Sequence, residues 1–462
     1  MFKALEQQQR LTGNQRRIVA AAIMGDCLEF FDYFLIGFVL AFIVVPWGLT
    51  YGQSAVILLS SGIGAILGAA IWGRLADRIG RRKVMIATVL NFSIATGLLY
   101  FTPDKGWVFL SVFRFFVGFG VGGLYCVDLP LVQEFVPTKK RGTIGGLVTC
   151  FIPIGVMIGS VLGAFLAPAV GWRGLFLVGL IPAALTLLIR AWVPESPRWL
   201  VRMGRPEEAR RSLAWALETD PEKLPLPELP PADLVAAKWT DLFRYPRSMA
   251  VSFLGNLGAQ TTVYGVTLWA PTLLVLLLKI PPQQASFLFI FVTLMGLVGR
   301  ISFSYLSEWI GRRAAGGLMG VGGAIALMAA GLLNDQFIGA ASVFWLLLIV
   351  SFFFIDGGFA IVGPYAAEVW PSELRASGMG AAYGFGGLGK IAGPVVLALI
   401  VGSSNVVTPK ASVEGIVPAF AFLAASALIM GIIYYFVGFE TKGRTIEELD
   451  SGLMKPAVAS PR

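Results

Sequence analysis

Gly73-Arg74-Leu75-Ala76-Asp77-Arg78-Ile79-Gly80-Arg81-Arg82-Lys83 separates two long apolar runs. Its core returns about 231 positions later as Leu306-Ser307-Glu308-Trp309-Ile310-Gly311-Arg312-Arg313. A second pair keeps the register, since Glu134-Phe135-Val136-Pro137-Thr138 is matched by Glu368-Val369-Trp370-Pro371-Ser372. The chain is therefore two copies of one unit in the same orientation. Membrane repeats related by an axis along the bilayer normal place a ligand site between the two halves.

The surrounding sequence agrees with a bilayer as solvent. A 462-residue chain that is 56% hydrophobic and 14% charged has more apolar surface than a soluble core can hide. Apolar runs recur at 19–46, 53–73, 84–102, 106–130, 143–168 and 172–193, then at 249–278, 284–306, 314–333, 338–364, 376–401 and 416–438. The expected fold is an all-α integral membrane protein with twelve transmembrane helices in two pseudo-symmetric six-helix bundles. The expected units are bundles at 1–193 and 249–438, a cytoplasmic linker with a short helix at 194–248, and a cytoplasmic tail at 439–462. Prolines 194, 197, 206, 221, 225, 227, 230 and 231 mark the linker, in which Glu207–Leu217 has the pattern of an amphipathic surface helix.

Charge sets the expected orientation. With both termini cytoplasmic, all but six of the 36 Lys and Arg residues fall on the inner side. Lys105, Arg173, Lys279 and Lys410 fall outside, and Arg114 and Lys390 fall within the membrane. The net charge of +9 thus reports topology and contact with anionic lipid, and does not point to nucleic acid. The expected location is the cytoplasmic membrane of a bacterium, and the expected functional unit is a monomer. Cys27, Cys126 and Cys150 lie in apolar runs without metal-ligand spacing, so neither a metal site nor a disulfide framework is expected.

Helix 1 carries Asp26, Glu29 and Asp32 at steps of three residues, which rise about 4.5 Å each along one face. An ionisable side chain at the bilayer centre costs about 2.5–3.5 kcal/mol on insertion scales, so such residues mark function. Asp26 stands near enough to the inner end to be an interfacial acid instead. Arg114 of helix 4 should lie at the depth of Asp32, either as a proton-sensitive partner or as a permanent bridge. The chain contains no histidine, so proton coupling has to use carboxylates.

In the second half Lys390 is a buried cation for a substrate carboxylate, unless Asp356 of helix 10 pairs with it; Arg300 belongs with the cytoplasmic cassette. Asn256, Gln260 and Tyr264 of helix 7 are candidate cavity-lining groups. Tyr33, Phe354 and Tyr383 are candidate aromatic walls for a ring or a short acyl body. At the cassettes, Asp77, Arg78, Gly80, Arg81, Arg82, Glu134, Arg141 and Glu195 in one half, and Glu308, Arg312, Arg313, Glu368 and Arg375 in the other, form a candidate cytoplasmic gate. There Gly80 and Gly311 make tight turns, Asp77 and Glu308 sit near helix N-termini, and Glu134 and Glu368 join Arg141 and Arg375. The gate is expected to latch the two bundles together when the protein opens outward.

The segment Gly73–Lys83 resembles the loop between helices 2 and 3 of the major facilitator superfamily. Pro194-Glu195-Ser196-Pro197-Arg198-Trp199-Leu200 and Glu440-Thr441-Lys442-Gly443-Arg444-Thr445 resemble the signatures of its sugar-porter-like branch, shared with organic-ion and aromatic-acid symporters. Arg114-Phe115-Phe116-x-Gly118-x-Gly120 matches a helix-4 pattern whose arginine, in symporters of that branch, pairs with a helix-1 acid as a proton-linked switch. The resemblance implies transport by alternating access without an organic cofactor, with protons as coupling ion. Helix 7 lacks the Gln-Gln pair and Gln-Leu-Ser element of sugar porters. The expected function is therefore proton-coupled import of a small organic anion, a carboxylate or aromatic acid. A sugar or polyol symporter is the alternative; a drug exporter or a nutrient sensor ranks lower, and no enzyme motif is present.

Overall fold

The computed structural model describes residues 2–125, 127–137, 140–227, 239–371 and 374–444. Twelve principal helices follow one another: α1 Gly13–Ile43, α2 Tyr51–Ile79, α3 Arg81–Leu98, α4 Trp107–Tyr125, α5 Ile152–Val161, α6 Ile181–Trp192, α7 Gly255–Leu278, α8 Pro282–Ile310, α9 Arg312–Leu332, α10 Val343–Ile355, α11 Arg375–Val401 and α12 Pro409–Ile432. Thr12 and Thr50 start α1 and α2 with the same device. Each threonine accepts from the N–H of a glutamine three residues on, and that glutamine side chain accepts from the threonine N–H.

Ten stretches among the described residues are long and apolar enough to cross a membrane. α1 is not one of them because Asp26, Glu29 and Asp32 lower its apolarity. One of the ten, Ile144–Thr186, holds two passes, divided where Gly171 takes φ 70°. The twelve expected passes are thereby accounted for. Between α9 and α10 a small antiparallel hairpin, β1 Phe337–Ile338 with β2 Ala341–Ser342, makes the turn.

Close helix packing comes from glycine. A Cβ at Gly64 or Gly68 of α2 would overlap main-chain oxygens of Phe115 or Phe119 in α4, and a Cβ at Gly118 or Gly122 of α4 would overlap those of Ser61 or Ala65 in α2. The two backbones can touch only because both faces lack side chains there.

At the end opposite the cassettes the halves are clasped. Tyr51 N–H donates to Asn405 O (2.9 Å), Gly52 N–H to Ser403 O (2.8 Å) and Val407 N–H to Leu49 O (2.9 Å). The Tyr51 hydroxyl meets Ser412 Oγ at 2.6 Å. The linker region holds two short helices, Pro197–Arg202 and Pro206–Leu217. They dock on the first half, where Trp199 Nε1 and Arg202 bind Asp77 (2.9 and 3.0 Å) and Thr12 Oγ1 donates to Ala216 O (2.5 Å).

Candidate functional site

A cavity of about 180 Å³ lies between the halves. Its wall takes Phe30 and Phe34 from α1, Asn256, Gln260 and Tyr264 from α7, Arg300 from α8, and Phe352, Asp356 and Tyr383 from α10 and α11. Gly146 and Pro364, both exposed, line the part nearest the cassettes, so the cavity opens toward that end while the opposite end is clasped. Apolar rings with a few convergent polar groups are what a small-molecule site requires.

Asp32 and Arg114 are neighbours and fully buried, but their contact differs from the expected carboxylate–guanidinium bridge. Arg114 donates to the main-chain carbonyls of Asp32 (2.9 Å) and Tyr33 (2.5 Å). The Asp32 carboxylate is held instead by Thr96 Oγ1, at 2.7 Å. Asp26 and Glu29 are buried too, as is Asp128 on the short helix Asp128–Glu134.

Lys390 does not pair with Asp356. Its ammonium donates to the Tyr383 hydroxyl at 3.1 Å and stands 5.0, 5.1 and 5.9 Å from the ring centroids of Tyr383, Tyr264 and Tyr33. Three ring faces, one of them from the first half, replace part of the hydration that this cation leaves behind. The side chain is 5% exposed and sits behind the tyrosines, so it backs the cavity wall and does not form its surface. Asp356 is taken by Arg300 in a two-pronged pair (3.1 and 2.9 Å), and Arg300 also donates to Thr149 O of the other half at 2.6 Å. Arg300 therefore belongs to the cavity and not to the cassette. Asp356-Gly357-Gly358 interrupts the helix between α10 and Phe359–Glu368, which frees Asp356 to turn toward it.

Phe354 is corrected as well: it packs on Phe303 and Phe353, while Phe352 reaches the cavity. Tyr33 faces Phe34, Tyr264 and Lys390. Gln260 Nε2 approaches Tyr383 O at 3.5 Å, and Asn256 Nδ2 donates to Ser252 O at 2.9 Å.

In the cassettes the helix-terminal carboxylates are Glu195 and Glu440, not Asp77 and Glu308. Glu195 accepts from the N–H groups of Arg81 (2.9 Å) and Arg82 (3.1 Å). Glu440 accepts from those of Arg312 (2.8 Å) and Arg313 (3.2 Å). Glu134 pairs with Arg81 (2.8 Å), and Glu368 with Arg312 (3.4 Å). Asp77 meets Arg202, Glu308 meets Arg312, and Arg375 donates to Ala367 O (3.2 Å). The Arg141 side chain lies outside the described residues. The cassette ion pairs named here stay within one half or tie it to the linker helix docked on it, so these pairs brace each bundle in this open shape.

A family model described as "Sugar (and other) transporter" matches residues 18–453. The chain belongs to that family. This family member is a transporter and not an enzyme. It is similar to the niacin transporter NiaP of Acinetobacter baylyi, with 31% identity over 92% of this chain and 94% of that one. It also resembles the cis,cis-muconate transport protein of the same organism, with 25% identity over 87% and 89%. The xylose transporter XylE of E. coli, in a partially occluded inward-open conformation, superposes with a TM-score of 0.71 at 20% identity, over 94% of this chain and 100% of that chain. The fold is that of the major facilitator superfamily.

Sequence reasoning missed two residues and one pairing. Glu440 was readable, because it follows the last helix of its half as Glu195 does. Asp128 lies at the inner end of an apolar run and has no counterpart motif. The Arg300–Asp356 pair needed the α10 break to be seen.

Proposed function

We propose that this transporter imports a small organic anion together with protons by alternating access. The observation that carries the reading is the cross-half charge arrangement beside the cavity. The second half supplies the buried Lys390 and Arg300, while the first supplies the buried carboxylates Asp26, Glu29 and Asp32. Relatives named for niacin and for muconate support a carboxylate substrate. A substrate carboxylate in the cavity draws Lys390 out from behind Tyr264 and Tyr383, and the rings of Phe34, Tyr264 and Phe352 hold its apolar body.

In the proton step Asp32 is neutral while Thr96 holds it and Arg114 grips the two carbonyls. Loss of the proton draws Arg114 toward the new carboxylate. That loosens the main chain at Tyr33, a wall of the Lys390 cage, and so links proton release to the anion site. The substrate must bind the two arrangements unequally, since equal affinity moves nothing. Clustering of basic residues at the cassette end supports a cytoplasmic face there, both termini cytoplasmic, in the inner membrane of a bacterium, with the monomer as the working unit.

Proton entry into proteoliposomes tests this on addition of monocarboxylates, aromatic acids, sugars and cationic drugs. Entry with acids alone is expected. Entry with sugars, which the Asn256 and Gln260 amides in the wall can serve, establishes the polyol reading instead.

A further inference from the structure

Lys390 backs the cavity wall, whereas Arg300 lines it. Each nitrogen of the Arg300 guanidinium has a bond. Nε and Nη2 donate to the Asp356 carboxylate of the same half (3.1 and 2.9 Å), and Nη1 donates to Thr149 O of the first half (2.6 Å). Asp356 can come this close because α8 presents Gly296 there, where a Cβ would overlap its carboxylate. Thr149 O is available for a different reason. It belongs to the last turn of the helix Arg141–Cys150, and the residue four positions on is Pro153 of α5, which has no N–H to complete the helical bond. Phe151 N–H reaches that oxygen from two residues away, and Arg300 reaches it from the other half. Thr149, Pro153 and Asp356 line the same cavity as Arg300.

The acceptors around Arg300 are unequal. A carboxylate is charged and meets a guanidinium in two parallel bonds, as Asp356 does, whereas Thr149 O is neutral and takes one. An anion that enters the cavity therefore displaces the carbonyl and leaves Asp356 in place. We propose that Arg300 is a second cation for the substrate's anionic group, beside Lys390, and that this group takes the place of Thr149 O. Thr149 and Arg300 belong to different halves, so an occupied site loses a tie between them. Binding then weighs differently on the two arrangements of the bundles, which is what alternating access requires of a substrate. The inference rests on the anion reading above and adds to it which acceptor the substrate displaces.

Calorimetric binding to the full-length protein in detergent tests both parts, with benzoate against benzamide and butyrate against butyramide. Each amide keeps the shape of its acid and lacks the charge. The double substitution Arg300→Gln with Asp356→Asn leaves no unpaired charge in the wall. It is expected to lower the preference for acid over amide about ten- to a hundredfold, the worth of a hydrogen bond to a charged group. An equal loss for acid and amide, or no loss, overturns the role of Arg300. Pro153→Ala gives Thr149 O a helical N–H and so weakens its hold on Arg300. The acids should then bind about fivefold tighter, with the amides unaffected. Acid binding that stays the same or weakens shows that Thr149 O is not what the substrate displaces. A wild type that holds neither acid better than its amide removes the anion reading and this inference with it. A wild-type preference that survives both substitutions overturns the inference alone.

Discussion

Glu195 and Glu440 close their cassettes with matching bonds. Each follows the last helix of its half, and each accepts from the first two N–H groups of the helix after a glycine of positive φ, 108° at Gly80 and 94° at Gly311. The parallel extends outward, for Ser196 binds Glu134 as Thr441 binds Glu368. The interiors share none of this likeness. The first half buries Asp26, Glu29, Asp32 and Asp128 with Arg114, whereas the second buries Lys390 and the Arg300–Asp356 pair. Duplication kept what each bundle needs to end and restart a helix at the membrane surface. Function diverged where the halves face each other, and buried charges of opposite sign now meet across the cavity.

The largest effect is expected on the acidic side. Asp32→Asn should abolish gradient-driven accumulation of substrate in proteoliposomes and leave counterflow exchange measurable, because the permanently neutral amide mimics only the protonated state. Accumulation that survives the substitution breaks the division between a proton half and an anion half. On the basic side, Lys390→Gln should weaken an acidic substrate about ten- to a hundredfold, the worth of a hydrogen bond to a charged group. A neutral analogue should be affected far less. Binding isotherms for the two ligands decide this, and equal losses return Lys390 to a packing role.

The cassettes should respond in parallel and less strongly. Gly80→Ala and Gly311→Ala each force a side chain into a backbone region that only glycine tolerates, and each new Cβ overlaps the carboxylate of Glu195 or Glu440. A cost of about 1–3 kcal/mol is expected for each, read as a lowered midpoint of thermal unfolding in detergent. Unequal shifts would show that the geometric repeat is not an energetic one.

These differences track what the chain can and cannot express locally. The cassette was readable because its turn glycines and charges must sit at fixed spacing beside each helix end, so duplication preserved it as a visible string. The helices were readable because bilayer thickness sets their length. Partners inside the bundles were not, since they depend on helix rotation and on breaks. Asp356 faces Arg300 because Gly357 and Gly358 interrupt α10, and Arg114 reaches carbonyls because Thr96 already holds the Asp32 carboxylate. The pairing of Glu368 with Arg312, while Arg375 donates to Ala367 O, has the same origin: neighbours in sequence compete with neighbours across a helix interface, and only the packed bundle ranks them.

The smallest effect should come from acid. Burial alone would push the Glu440 carboxyl up, but N–H donors from Lys442, Arg312, Arg313 and Thr441 hold it below its ordinary value of 4.5. A depressed folded value means that the group's stabilisation is complete above about pH 4.5 and is lost as pH falls through the folded value. Glu440→Gln should therefore lower the unfolding midpoint at neutral pH and leave it nearly unchanged at the acid end, where the wild-type carboxyl is itself neutral. A substitution that costs the same at both ends would mean that Glu440 acts through its shape and not its charge. Glu195→Gln in the same assay then asks whether two cassettes built with the same bonds also carry the same energy, and a difference between them would locate divergence at the surface as well as in the interior.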